Sequence, residues 1–338
     1  MKSLKLHLLV TMCALVSLTS PAWATNSLTF GQTVSGTIST AAQTIRYTMA
    51  ANAGDIVNLN MVTTSGSLQP DVKLYDSTGT LIAEGRNYWN GTCHNGPTDE
   101  DGTPMVEMNS QTLSEGGNYV VVVGDCHSSN TGTYDLYVQR LNNPSGAVSL
   151  AFDVPQSNTV GLSAQNNTYT FSASANDVVV LVATATSGGL KPKVRLYDPT
   201  ATLIDEAVNY ANGSCKSGPT DEDGTPTVGF DTGALSLSGA YTVLVGDCDD
   251  INTGAYELYV QKTNNPSGAA PIAFGQTQSG TITSAAQGAS YTFSASANDV
   301  VDITALTTSG SMQAVIQLFD PTGALVSTAE NYWNGACH

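Results

Sequence analysis

Basic residues are scarce in this chain of 338 residues. It has 11 Lys and Arg against 28 Asp and Glu, which gives a formal net charge of −17. An acidic surface with so few cations repels phosphate backbones. The composition therefore argues against nucleic acid as a partner, and it leaves carboxylates free to bind cations.

Long hydrophobic runs are also lacking. The longest apolar stretch, residues 6–18, is too short to cross about 30 Å of hydrocarbon, so we expect no membrane span. Lys2 and Lys5 precede this stretch, and Ala22-Trp23-Ala24 follows it, which is typical of a secretory signal peptide. Residues 1–24 are therefore predicted to be removed on export. The protein is expected to be secreted, to the cell exterior or cell surface, with the periplasm as the alternative.

What the chain does have is a long internal repeat. Asn87–Pro104 reads NYWNGTCHNGPTDEDGTP, recurs from Asn209 as NYANGSCKSGPTDEDGTP, and begins again at Asn331 as NYWNGACH. The step is 122 residues, since 215 − 93 and 337 − 215 are equal for the cysteines. A unit of this length can bury its own core. We predict repeat 1 at 25–147, repeat 2 at 148–269 and a truncated repeat 3 at 270–338, joined by turn-rich linkers. This interpretation makes the sequence a fragment of a longer protein.

Alternating polar and apolar residues predict β-strands in each repeat. Residues 57, 59 and 61 are apolar while 58 and 60 are Asn, and residues 134, 136 and 138 form a second apolar face. Turn signals such as Asp76-Ser77-Thr78-Gly79 separate the strands, and no long stretch has a helical period. The fold class predicted is all-β, with tandem antiparallel β-sandwich domains after a signal peptide.

The ordered motifs of each repeat resemble the bacterial pre-peptidase C-terminal domain family. The matching segments are FGQTVSGTI at 30–38, LYDSTG at 74–79, GNYVVVV at 117–123, TGTYDLYV at 131–138, LYDP at 196–199, TGAY at 253–256, FGQTQSGT at 274–281 and LFDPTG at 318–323. The resemblance implies a jelly-roll-like sandwich. It also implies a non-catalytic accessory module of secreted proteins, often attached to peptidases.

Histidine is too rare to support catalysis in every repeat. The chain has 4 His, and repeat 2 has none, because Lys216 and Asp249 stand where repeat 1 has His94 and His127. A Cys nucleophile would need a His partner, so we predict no enzymatic activity within these residues. A zinc site of Cys93, His94, Cys126 and His127 would explain only one repeat, and adjacent Cys-His pairs are poor ligand spacings.

The cysteines instead predict disulfides. Cys93 and Cys126 are 33 residues apart, and so are Cys215 and Cys248. In a secreted protein this recurrence indicates one bond within each repeat. Bonds between repeats remain the alternative, because four cysteines allow three connectivities.

An acidic loop follows the first cysteine of each complete repeat. Asp99-Glu100-Asp101 and Asp221-Glu222-Asp223 are identical, and a disulfide would bring Asp125 and Asp247 near them. Several carboxylates at one point can bind Ca²⁺, which needs six to eight oxygen ligands. The EF-hand spacing does not fit. The favoured interpretation is an acidic turn whose Asp side chains accept backbone N–H groups, with calcium as the alternative.

The same loop carries a tryptophan in two of the three copies. Trp89 and Trp333 could stack on a ligand, whereas repeat 2 has Ala211 at this position. The simpler alternative is that the indole covers the disulfide or the end of the sandwich.

Two functional hypotheses follow. The first is a secreted, non-catalytic array that serves in binding, adhesion or spacing, with an extracellular polymer, a cell surface or a protein as its partner. The second is an accessory region of an exported hydrolase or peptidase whose catalytic domain lies beyond residue 338.

Overall fold

The computed structural model describes residues 26–89, 92–93, 104–211, 214–215, 226–330, 332–333 and 336–337. The predicted signal peptide lies outside these ranges. The regular secondary structure within these ranges consists entirely of β-strands, which confirms the all-β prediction. In the same part of the chain, no helix has the length and apolarity needed to cross a membrane.

The first repeat forms two sheets that face each other. Its strands are β1 (Asn26–Ser27), β2 (Gln32–Ile38), β3 (Ile45–Ala51), β4 (Ile56–Gly66), β5 (Pro70–Tyr75), β6 (Leu81–Arg86), β7 (Tyr88–Trp89), β8 (Thr92–Cys93), β9 (Met105–Thr112), β10 (Gly117–Asp125) and β11 (Gly132–Arg140). One sheet has the order β1-β3-β10-β5-β6 and the other β2-β11-β4-β9, while β7 and β8 form a separate hairpin. The sheets are antiparallel apart from the short strand β1, which pairs parallel to β3.

The second repeat has the same topology. Its strands are β12 (Val148–Ser149), β13 (Gln156–Val160), β14 (Asn167–Ala173), β15 (Val178–Gly188), β16 (Pro192–Tyr197), β17 (Leu203–Val208), β18 (Tyr210–Ala211), β19 (Ser214–Cys215), β20 (Thr227–Ala234), β21 (Gly239–Asp247) and β22 (Gly254–Lys262). The sheet orders are β12-β14-β21-β16-β17 and β13-β22-β15-β20, and β12 again pairs parallel to β14.

Both cores lie between the two sheets, on the faces that the alternation predicts. The predicted inner residues of β4 and β11 all belong to one buried cluster: Val57, Leu59, Met61, Tyr134, Leu136 and Val138. Two buried tyrosines meet in each core, with hydroxyl oxygens 2.7 Å apart for Tyr47 and Tyr134 and 2.5 Å apart for Tyr169 and Tyr256. Pairing these hydroxyls offsets the cost of burying them away from water.

The third repeat does not assemble into two full sheets. Its described strands are β23 (Ala270–Pro271), β24 (Tyr291–Thr292), β25 (Val315–Phe319), β26 (Leu325–Glu330), β27 (Tyr332–Trp333) and β28 (Ala336–Cys337), which pair only two by two. Val300 is 99% exposed, whereas its counterpart Val178 is 4% exposed.

Repeats 1 and 2 pack directly on each other, which the linker interpretation did not anticipate. Leu141 lies in a buried cluster with Tyr197 and Leu244 of repeat 2. Tyr137 points outward from its own sandwich, yet it is fully buried because it packs with Ala164 of repeat 2. The outer face of the four-stranded sheet of repeat 1 is therefore an interface, and we call it the first junction.

We expect Leu136→Ala to lower the free energy of unfolding by about 2–5 kcal/mol, because the leucine is fully buried on the central strand β11. Val154→Ala removes apolar atoms from a side chain of repeat 2 that is 55% exposed, so it should change stability by less than about 0.5 kcal/mol. Urea unfolding followed by circular dichroism measures both variants. Equal losses for the two would contradict this placement of the core.

Candidate functional site

A disulfide closes the end of each sandwich. Cys93 bonds to Cys126 and Cys215 to Cys248, and each pair has a Cα–Cα distance of 5.8 Å. The pairing within repeats is thereby confirmed. Because the two sulfurs of each pair bond to each other, they are not available as thiolate ligands for zinc. Such bonds form and persist in oxidising compartments.

Asp125, at the end of β10, binds backbone N–H groups rather than facing open solvent. Its carboxylate accepts hydrogen bonds from the N–H of Gln69 (2.9 Å), Ser129 (2.9 Å) and Asn130 (3.0 Å). Burial raises the pKa of Asp125, but these donors outweigh it and the pKa is lowered overall. The residue thus orders the turn that follows the disulfide.

Asp247 holds the same position in repeat 2. Its carboxylate accepts from the N–H of Lys191 (2.8 Å), Ile251 (3.1 Å) and Asn252 (3.0 Å). Here burial dominates and raises the pKa, because Asp247 is more deeply enclosed than Asp125. Backbone donors occupy both carboxylates, which fits the capping interpretation for Asp125 and Asp247.

The remaining predicted site residues are placed only in part. The acidic residues Asp99, Glu100, Asp101, Asp221, Glu222 and Asp223 lie outside the described residues. Trp89 and Trp333 lie in the short strands β7 and β27, where the structure describes the backbone. The calcium and tryptophan hypotheses therefore stay predictions.

One recurring residue of the loop motif was missed. Asn87 and Asn209 precede the β7–β8 and β18–β19 hairpins and are fully buried. Their backbone N–H groups donate to the carbonyls of Pro70 (2.9 Å) and Pro192 (3.0 Å). Their side-chain amides have no hydrogen-bond partner among the described residues. The signal was visible, because Asn recurs at this position in all three copies.

The first junction contains an ion-pair network that sequence reasoning also missed. Glu107 of β9 lies 2.5 Å from Arg195 and 3.6 Å from Lys193, both on β16 of repeat 2. Lys193 also lies 3.5 Å from Asp250. Lys193, Arg195 and Asp250 are buried and Glu107 is partly buried at the contact between the repeats, so these charges constrain how the repeats fit together.

Hydrogen bonds donated by neutral side chains extend this network. Asn58 Nδ2 donates to the Tyr197 hydroxyl over 2.9 Å, and Asn60 Nδ2 donates to Asp250 over 3.0 Å. Thr242 of repeat 2 donates to the carbonyl of Leu141 over 2.8 Å. Asn58 and Asn60 point away from their own core, as predicted, but they are buried by repeat 2.

The charges of the network perturb one another. Burial raises the pKa of Asp250 to about 6, although Lys193 and Arg195 oppose the shift and Glu107 and Asp247 add to it. Burial also acts to raise the pKa of Glu107, but Lys193 and Arg195 outweigh it and hold the value at about 2. Glu107 is therefore ionised at neutral pH, while Asp250 takes up a proton as the medium becomes mildly acidic.

Comparison with known proteins gave structural matches only. No protein-family model matches the chain, and no curated protein matches it. The chain is similar to the pre-peptidase C-terminal domain of a Bacillus anthracis collagenase, with 20% identity, a TM-score of 0.26, and coverage of 34% of this chain and 94% of that one. It is also similar to PliG of Aeromonas hydrophila, a periplasmic inhibitor of g-type lysozyme, with 17% identity, a TM-score of 0.21, and coverage of 34% and 100%.

Mild acid should stabilise the first junction. Because the pKa of Asp250 is raised to about 6 in the folded state, folding takes up a proton as the pH falls through that value. We expect the free energy of unfolding to rise by about 1–1.5 kcal/mol between pH 7.5 and 5, since the full effect is reached only below the unfolded-state pKa of about 3.8. Asp250→Asn should remove most of this rise. Urea titrations at several pH values measure it, and equal pH dependence in both proteins would refute the assignment.

Removing one disulfide should destabilise its repeat. Cys93→Ala with Cys126→Ala opens a loop of 33 residues, which should cost roughly 3.5–4 kcal/mol through the entropy of the unfolded chain. The matched pair Cys215→Ala with Cys248→Ala should cost about the same. Urea unfolding gives the energies, and non-reducing peptide mapping gives the bonds. Recovery of Cys93 linked to Cys215 or Cys248 would contradict the pairing.

Proposed function

We propose that the chain is a secreted, non-catalytic β-sandwich array that presents a binding surface to an extracellular polymer or cell surface at a fixed spacing. The observation that carries the proposal is the first junction. Two sandwiches that share a buried ion-pair network and an apolar cluster move as one body, which suits a spacer or adhesion array.

Four other features support this proposal. The disulfides suit an oxidising compartment, and the amino-terminal residues have the pattern of an export signal. Repeat 2 lacks histidine altogether, so no His-assisted nucleophile can operate in both complete repeats. The acidic composition disfavours nucleic acid and leaves neutral or cationic surfaces as partners.

A distance measurement between repeats tests the array. Spin labels carried by unnatural amino acids at the exposed positions Ser77 and Ser236 leave the disulfides untouched. We expect pulsed electron–electron double resonance to give one narrow distribution of distances between the two labels. Glu107→Gln with Arg195→Gln should broaden it, because the central ion pair of the junction is lost.

The control is the paired substitution Glu84→Gln with Arg86→Gln, which removes an ion pair on the outer face of repeat 1 away from the first junction. This variant should keep the narrow distribution. A broad distribution in the unaltered protein, as a flexible linker would give, would overturn the proposal of a rigid array.

A further inference from the structure

An open cleft of about 430 Å³ lies where repeat 1 meets repeat 2. Its walls include Ser35, Thr37, Thr133 and Asp135 from repeat 1 and Ser163 and Thr253 from repeat 2. A smaller cavity of about 330 Å³ shares Ser35, Gly36, Thr37 and Tyr134 with it. The two cavities therefore adjoin along the edge strand β2 and can accommodate an extended ligand.

The chemistry of the walls defines a ligand class. Hydroxyl groups of Ser and Thr donate and accept hydrogen bonds, and none of the residues lining the cleft is basic. Asp135 is 6% exposed, and its Oδ1 accepts from the Ser35 hydroxyl over 2.6 Å. A buried carboxylate among hydroxyls repels anions and favours a neutral molecule that carries several O–H donors.

At the contact between repeats 2 and 3, a side-chain bridge spans the place that is an open cleft between repeats 1 and 2. Glu257 stands where repeat 1 has Asp135, and its Oε2 accepts from the Ser284 hydroxyl (2.6 Å) and from the N–H of Ala286 (3.1 Å). Its carboxylate thus reaches across to repeat 3. Both acids accept from the equivalent serine of their own repeat, Ser35 for Asp135 and Ser157 for Glu257, but Asp135 is one methylene shorter.

The wall that repeat 2 contributes to the cleft also lacks the group that makes the bridge between repeats 2 and 3. The counterpart of Ser284 at the first junction is Leu162, which has no hydroxyl and is 45% exposed on the cleft wall. No side-chain bridge from Asp135 to repeat 2 is found among the described residues. The shorter acid and the apolar partner together leave the cleft open.

We propose that this cleft binds a neutral oligosaccharide, with Asp135 accepting hydrogen bonds from sugar hydroxyls and Thr253 contributing from repeat 2. The inference rests on the proposed array function, because it assigns a ligand class to the surface that the array presents. It also explains why the cleft is shared: both repeats supply hydroxyls, so the site exists only when the first junction is formed.

The test is titration of the full chain with three neutral trisaccharides: cellotriose, maltotriose and triacetylchitotriose. Saturation-transfer NMR and calorimetry should detect binding of at least one of them. Asp135→Glu should weaken that binding about tenfold or more, because the longer side chain fills the cleft as Glu257 does. Glu257→Asp is the matched control and should leave the affinity at the first junction unchanged.

A second variant guards against misfolding of the first. Thr253→Val keeps the shape of an exposed side chain but removes its hydroxyl, so it should weaken binding severalfold without lowering the melting temperature. If none of the three sugars binds at a concentration of about 10 mM, the dissociation constants are too weak for a specific site. That result would overturn the inference. So would unchanged affinity in both Asp135→Glu and Thr253→Val.

Two further outcomes separate this inference from the array. A narrow spin-label distance with no sugar binding would overturn the saccharide site and leave the rigid array standing. A calorimetric response to Ca²⁺ alone that Asp135→Asn abolishes, with no response to sugar, would identify a cation site and also overturn the inference.

Discussion

Each sandwich depends on two strands that come late in the repeat and pair in the middle of the sheets. β10 lies between β3 and β5, and β11 lies between β2 and β4, so each joins strands that precede it in the chain. Until both are in place, neither sheet is continuous and the inner faces have no partner. In the first two repeats both strands are in place, and their inner residues, such as Val121 and Leu136, are fully buried.

The end of β10 is also where the loop motif is attached. The disulfide fixes the β7–β8 hairpin to this strand, and the Asp125 carboxylate organises the following turn through backbone N–H groups. In repeat 2 the same two devices recur around Cys248 and Asp247. A covalent bond and a charge-assisted cap thus fix the end of this strand.

The two contacts between successive repeats use one geometry with different chemistry. At the first junction Asn58, Asn60 and Glu107 meet Tyr197, Asp250 and Arg195. Repeat 2 has Val180, Val182 and Gly229 where repeat 1 has those three polar residues, and repeat 3 has Phe319 and Gln317 where repeat 2 has Tyr197 and Arg195. The contact between repeats 1 and 2 therefore joins two polar faces. The contact between repeats 2 and 3 joins two faces that are more apolar. Mispairing would leave buried charges without partners, which costs several kcal/mol.

Local patterns were sufficient for the strands, the inner faces and the disulfides. Alternation marked Leu59 and Leu136 as core residues, and equal spacing paired Cys93 with Cys126, because period and spacing are properties of neighbouring residues. Local patterns could not predict which outward-facing residues are buried by a neighbouring repeat. Asn60, Glu107 and Tyr137 look like solvent-facing positions, and only the packing of repeat 2 buries them. The open cleft at Asp135 and its bridged counterpart at Glu257 likewise depend on how far a side chain reaches across two sheets, a distance that exists only in the folded array.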